Sequence, residues 1–171
     1  MRIALTVLLS TCMMGCLTKV EPTLPEATQV GKNTLGCLID NQLWLPKKAT
    51  SIIGSPPVVY ALYSRSTNEL KIGGRRFGSG GSEFTLKAIA YGQGKATLLV
   101  DNINPENETY YYDDNESYIP LTTTSSLTIT KLDTINRIVS GSFTLEVIGQ
   151  RTKKQVNITK GIFDIQLEFY R

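Results

Sequence analysis

The residues able to do chemistry concentrate in one stretch, 101–116, which reads DNINPENETYYYDDNE and carries six acids and no Lys or Arg. Asp113, Asn115 and Glu116 offer the oxygen donors that a Ca²⁺ ion takes, although no Asp-x-Asp-x-Asp-Gly loop with a distal Glu frames them. Tyr110, Tyr111, Tyr112 and, just beyond, Tyr118 are four of the eight tyrosines. Such large rings with few torsions can stack on a carbohydrate or anchor an envelope protein when a loop exposes them. Folded onto a sheet, they are core residues and cross-strand pairs. Gly73–Gly81 could hold an anion through its amides with Arg75 and Arg76. It lacks the Gly-Lys-Ser/Thr ending of a phosphate loop and reads more simply as a flexible hairpin connection. Glu146, Asp164 and Glu168 fall on expected strands, but glycoside hydrolysis needs two carboxyls facing across a cleft. Nothing in their spacing supplies that pair, and alternation places Asp164 on a wet face. Histidine is absent, which removes Ser-His-Asp and Cys-His nucleophiles and His-ligated metals. No catalytic residues and no firm cofactor follow from the sequence. The formal charge of +3 is too small to point to nucleic acid.

The elements that must position these residues are strands. Val, Ile and Thr make up 44 of the 171 residues, against seven alanines, and β-branched side chains suit a pleated surface better than a helix. The length argues for one domain. Asp40-Asn41 between apolar runs signals a tight hairpin. Phe163, Ile165, Leu167 and Phe169 alternate with polar neighbours, so the last strand has one buried face, and Gly161 reads as the turn before it. The expectation is an all-β fold, an antiparallel β-sandwich of about ten short strands. The alternative is a lipocalin-like β-barrel with an internal cavity lined by residues such as Phe143, Phe163 and Phe169.

The N-terminus reads as an address. Arg2 precedes the apolar run Ile3–Leu9, the order of a secretory signal too short to span a bilayer. Met13-Met14-Gly15-Cys16 resembles a bacterial lipobox, which implies cleavage before Cys16 and a diacylglycerol on its thiol. The expected organisation is a lipoprotein signal peptide at 1–15, a lipidated cysteine and tether at 16–33, and a single β domain at 34–171. Fully extended, 17–33 would reach ~55–60 Å. Cleavage discards Cys12 and acylation consumes Cys16, which leaves Cys37 alone.

Thr23 to Trp44, TLPEATQVGKNTLGCLIDNQLW, resembles the start of a family of uncharacterised putative lipoproteins of Bacteroidota. Their Leu-Pro-x-Ala-Thr-Gln-x-Gly-x-Asn-Thr-Phe-Gly stretch follows the lipid cysteine. Here Leu35 replaces the Phe. SGSFTLEV (140–147) and VNITKGIFDI (156–165) resemble that family's closing strands, with Ile-Thr-x-Gly-x-Phe-Asp near the C-terminus. The resemblance implies compartment and fold class and carries no activity. Asp133-Thr134-Ile135 similarly resembles the short O-glycosylation acceptor of exported proteins in that phylum, with Thr134 as the acceptor.

The functional expectation is a cell-envelope lipoprotein, held on the outer membrane by its lipid and facing either periplasm or surface. It serves as a non-enzymatic binding or structural module. The alternatives are a carbohydrate-active enzyme and a carrier of a small apolar ligand. Cys37 lies in the apolar run Leu35-Gly36-Cys37-Leu38-Ile39, and free cysteine is among the most buried residue types. Its thiol is therefore expected to resist labelling in the folded protein until denaturant is added, and rapid labelling without denaturant would contradict this.

Overall fold

A computed structural model of the protein describes residues 22–50, 56–101, 108–113 and 116–170. These fold into eleven strands with no helix among the described residues. They are β1 (Thr34–Ile39), β2 (Gln42–Trp44), β3 (Val59–Ser64), β4 (Glu69–Arg76), β5 (Ser82–Ile89), β6 (Gly94–Leu98), β7 (Tyr110–Asp113), β8 (Ser117–Pro120), β9 (Ser126–Asp133), β10 (Ile138–Gly149) and β11 (Gln155–Phe169). The sheet closes on itself through β11-β3-β4-β5-β6-β9-β10 and back to β11. The all-β expectation holds and the sandwich does not: the protein is a closed seven-stranded barrel with four additional strands. It is also mixed rather than wholly antiparallel, because β3 joins β11 in parallel, with Leu167, Glu168 and Phe169 opposite Ala61, Leu62 and Tyr63.

Long strands make the frame, and short strands fill the gaps between them. β11 pairs with β10 on one edge. On its other edge it meets β1 along Ile158–Asp164 and β3 along Leu167–Phe169. β5 pairs with β4 along its whole length. Its other edge meets β7 over Ser82–Thr85 and β6 over Ala88–Ile89. β10 likewise passes from β9 to β8. Closure thus depends on strands that change neighbours part-way, which irregularities in register permit. One lies between Phe143 and Leu145 and another between Gly36 and Leu38. Gly161, read from the sequence as a turn, sits inside the continuous 15-residue β11 beside Lys160, whose φ is 50°. Similarly Gly73 and Gly74 belong to β4 rather than to a loop. The two-residue hairpin at Asp40-Asn41 is as expected, with φ of 47° and 65°, the left-handed pair that such turns require.

The interior is filled by side chains. Trp44, Phe84, Phe143 and Phe163 form a file of rings with successive centroids 4.8, 5.3 and 6.5 Å apart. The last two rings are seated by a reciprocal arrangement between β10 and β11. Phe163 lies opposite Gly141, and Phe143 lies opposite Gly161. A Cβ at Gly141 would come within 2.6 Å of the Phe163 ring, and one at Gly161 within 2.5 Å of Phe143. Each glycine therefore makes room for the phenylalanine of the facing strand. Leu70, Ile72, Leu86, Leu127, Ile129, Val139, Ile165 and Leu167 complete one continuous core. Cys37 is in that core with a free thiol, and burial pushes its pKa up to about 12.

Phe163 is fully buried and Gln166, three residues on, is exposed. Phe163→Ala should cost ~3–5 kcal/mol through lost burial and the cavity left behind. Gln166→Ala should stay within about ±0.5 kcal/mol. Denaturation midpoints measure both, and equal midpoints would contradict the packing described.

Candidate functional site

Asp164 is the residue whose position departs most from the sequence reading. Alternation along β11 predicts a solvated side chain, yet Asp164 is 0 % exposed. The reason is the segment before β1, which lies over that part of the outer face. Its carboxylate accepts from the Thr28 hydroxyl at 2.5 Å and the Ser140 hydroxyl at 2.7 Å. It also accepts from three consecutive backbone amides, Val30 at 3.2 Å, Gly31 at 2.9 Å and Lys32 at 3.2 Å. Successive amides turned toward one point make an anion-binding concavity, and Gly31, at φ 76°, supplies the left-handed residue that turns them. Burial alone would raise the Asp164 pKa. The bonds from Thr28, Ser140, Gly31 and Lys32 outweigh it and hold the carboxyl at about 2.

The rest of the segment is fixed alongside. Asn33 Oδ1 accepts the Gln166 amide at 2.8 Å, and Lys131 Nζ donates to the Gln29 carbonyl at 3.0 Å. Pro25 packs on Gly36, where a Cβ would come within 2.7 Å of the proline ring. Thr23 and Pro25 border a cleft of about 300 Å³ with Leu35, Leu45, Val58 and Val59. These residues mark the handover from β1 and β2 to β3. The two sequence motifs, Ala-Thr-Gln-x-Gly-x-Asn at 27–33 and Phe-Asp at 163–164, therefore meet in space.

The tyrosine-rich stretch is mostly strand rather than exposed loop. β7 and β8 form a hairpin that bridges β5 and β10. Tyr111 and Tyr118 are opposed across it, 6 % and 4 % exposed, with ring centroids 5.4 Å apart. Tyr110 is half-buried and donates to Glu83 Oε1 at 3.2 Å, and burial pushes its pKa up to about 12. Tyr112, 44 % exposed, is the ring of the four that faces solvent.

Glu116 is also buried, and its carboxylate accepts from the Arg151 amide at 2.9 Å, the Thr152 amide at 3.0 Å and the Thr152 hydroxyl at 2.5 Å. The Thr152 hydroxyl and these amides hold the Glu116 pKa below its ordinary value. Asp113 Oδ1 in turn accepts the Glu116 amide at 3.2 Å. These two acids thus brace the β7–β8 and β10–β11 turns, and among the described residues no three His, Cys, Asp or Glu are grouped to hold a metal ion. Asn115 and Cys16 lie outside the described residues. Thr134 is in the β9–β10 turn, where Asp133 Oδ1 accepts the Ile135 and Asn136 amides at 3.1 and 2.8 Å. Ile135 beside it is 90 % exposed.

Of the acids that strand placement offered for hydrolysis, Asp164 is sealed in its cradle and Glu146 bonds Gln155. Neither a protein-family model, nor a curated protein, nor a solved structure matches this chain.

Because its folded pKa lies below the ordinary 3.8, Asp164 contributes stability that is complete above that value and is lost as pH falls toward about 2. Asp164→Asn should lower stability at neutral pH by about 2–4 kcal/mol, since the three backbone amides of the cradle can only donate and Asn brings them one acceptor oxygen in place of two. The variant should also show a smaller loss of stability than wild type between pH 5 and pH 2. Chemical denaturation across that pH range measures both effects, and parallel curves for the two proteins would refute the assignment.

Proposed function

We propose that this protein is a membrane-tethered lipoprotein of the cell envelope, acylated on Cys16, whose barrel is a non-enzymatic binding or structural module. The observation that carries this reading is the cradle around Asp164. It fastens residues 28–32, which follow Cys16 in the chain, onto the outer face of the barrel, which is where a lipid anchor must transmit its hold. Six residues separate Cys16 from Thr23, so the two positions lie at most ~25 Å apart when the chain is extended. The docked segment thus gives the anchor a short lead, and the barrel stands close to the bilayer with the β1–β3 junction nearest the lipid. Two or three acyl chains anchor stably where one is marginal.

The filled interior favours a structural or surface-binding module over a lipocalin-like carrier, because Phe143 and Phe163 occupy the space that an apolar ligand would need. A carbohydrate-active enzyme would need free carboxylates, and Asp164 and Glu116 are both taken up by internal bonds. Partners are therefore expected at the outer surface, as an envelope protein or a glycan. Thr134, in an exposed turn with an unpacked isoleucine beside it, remains the proposed site of O-glycosylation.

Cys16→Ala in the full chain, expressed in a bacterial host with lipoprotein processing, tests the anchor. The variant is expected to accumulate as uncleaved precursor and to leave the detergent phase on partitioning. Partitioning equal to wild type would overturn the reading.

A further inference from the structure

A depression of about 380 Å³ lies between β2, the β4–β5 connection and β7, away from the cradle, and is lined by Gln42, Trp44, Arg76, Ser79, Ser82 and Tyr111 among others. Among the described residues that line it, the charged one is Arg76. Two adjacent arginines end β4 and differ in their surroundings. Arg75 donates to Glu83 at 3.0 Å and lies 5.3 Å from the Tyr60 ring. Arg76 points to the other side of the strand, into the depression, and has no carboxylate within ion-pair distance among the described residues. Among the described residues no acid lines the depression.

The acid closest in register is Asp113, which β7 places opposite Ser82. It is engaged by the Glu116 amide and the Tyr118 hydroxyl. Lys47 pairs with Arg76 in an isolated parallel bridge, and its ammonium is 3.9 Å from where a Cβ on Gly78 of the β4–β5 connection would stand. A half-buried guanidinium without an internal counter-ion is a ready partner for a carboxylate or phosphate, which it meets with two parallel N–H bonds.

The floor is ordered to receive such a group. Trp44 Nε1 donates to Ser82 Oγ at 2.8 Å, which fixes the acceptor side of that hydroxyl. The Tyr111 hydroxyl also bonds Ser82. Ser79 and Gln42 stand around the rim with donors of their own. The two rings are core residues, nearly without exposed surface, so a ligand meets polar groups here rather than a stacking platform.

We propose that this depression binds a small oxyanion-bearing ligand of sugar size, carboxylated or phosphorylated, with Arg76 holding the oxyanion and Gln42 and Ser79 holding neighbouring hydroxyls. The site is independent of the lipid anchor.

Trp44 is the single tryptophan of the chain, so its fluorescence reports occupancy directly, with calorimetry as a second readout. The full chain in detergent is titrated with inorganic phosphate, glucuronate and glucose. Saturable binding of phosphate or glucuronate, or both, with none of glucose, is expected, and the stronger anion identifies the oxyanion preferred. Arg76→Gln should weaken binding at least about tenfold, and Arg76→Lys should retain part of it. Arg75→Gln, whose side chain is turned away, should bind as wild type does. Thermal unfolding of each variant checks that the barrel is intact. Three results would each overturn the proposal: no saturable binding of either anion, glucose binding as tightly as glucuronate, or Arg76→Gln binding unchanged while folded.

Discussion

A carboxylate with no exposed surface cannot be left to water, and the way this protein satisfies Asp164 governs much of its architecture. Ionised and buried, the group must be given donors at close to hydrogen-bond distance on every side. One hydroxyl comes from the neighbouring strand β10, at Ser140. The remaining donors come from residues 28–32, more than 130 positions away in sequence. The price of burying this charge is thus met by ordering a segment that composition alone marks as a polar, proline-bearing lead. In return that segment covers the outer face of β11 and reaches the place where β1 gives way to β3. One side chain thus fastens the segment before β1 to the last strand, beside the ladder that already pairs β1 with β11.

The same economy recurs elsewhere. Glu116, also buried, gathers the amides of residues 151–152 and so holds the β7–β8 hairpin to the β10–β11 turn. Tyr111 and Tyr118 close that hairpin over the core, and Tyr110 ties β7 to Glu83 of β5. Residues whose types suggest chemistry are in these places fasteners. They serve the junctions where short strands take over from one another along the long ones, because these are where a closed sheet is weakest. Arg76 is different: it carries charge into a depression with no carboxylate paired to it among the described residues, and a surface free of such structural duty is where recognition of another molecule has room to occur.

Much of this was legible in the sequence, for reasons that differ from element to element. The last strand shows strict alternation over Phe163, Ile165 and Leu167, and the turn at Asp40-Asn41 is encoded by residues that tolerate positive φ; both are local signals. Closure into a barrel stood only as the alternative to a sandwich, since it rests on the parallel pairing of β3 with β11, a contact between segments about a hundred residues apart with no local signature. Gly161 gave the signal of a turn because a glycine beside a bulge and a glycine in a turn look alike in one dimension. Asp164 was misplaced for a related reason. Period two assigns faces but cannot say that another part of the chain will cover the outer one. The motifs at 27–33 and 163–164 were both visible, and only the fold reveals that they are two halves of one interaction.

The central claim is that the segment before β1 is held by the Asp164 carboxylate. Hydrogen exchange at the backbone amides of Val30, Gly31 and Lys32 tests it most directly, because these are the groups that donate to Asp164. In the wild-type protein they should exchange far more slowly than in a free peptide. In Asp164→Asn they should approach free-peptide rates, while the amides of β4 and β5 stay protected. Free-peptide rates at these three amides in the wild-type protein, or protection there that is unchanged when Asp164 is replaced, would contradict the account.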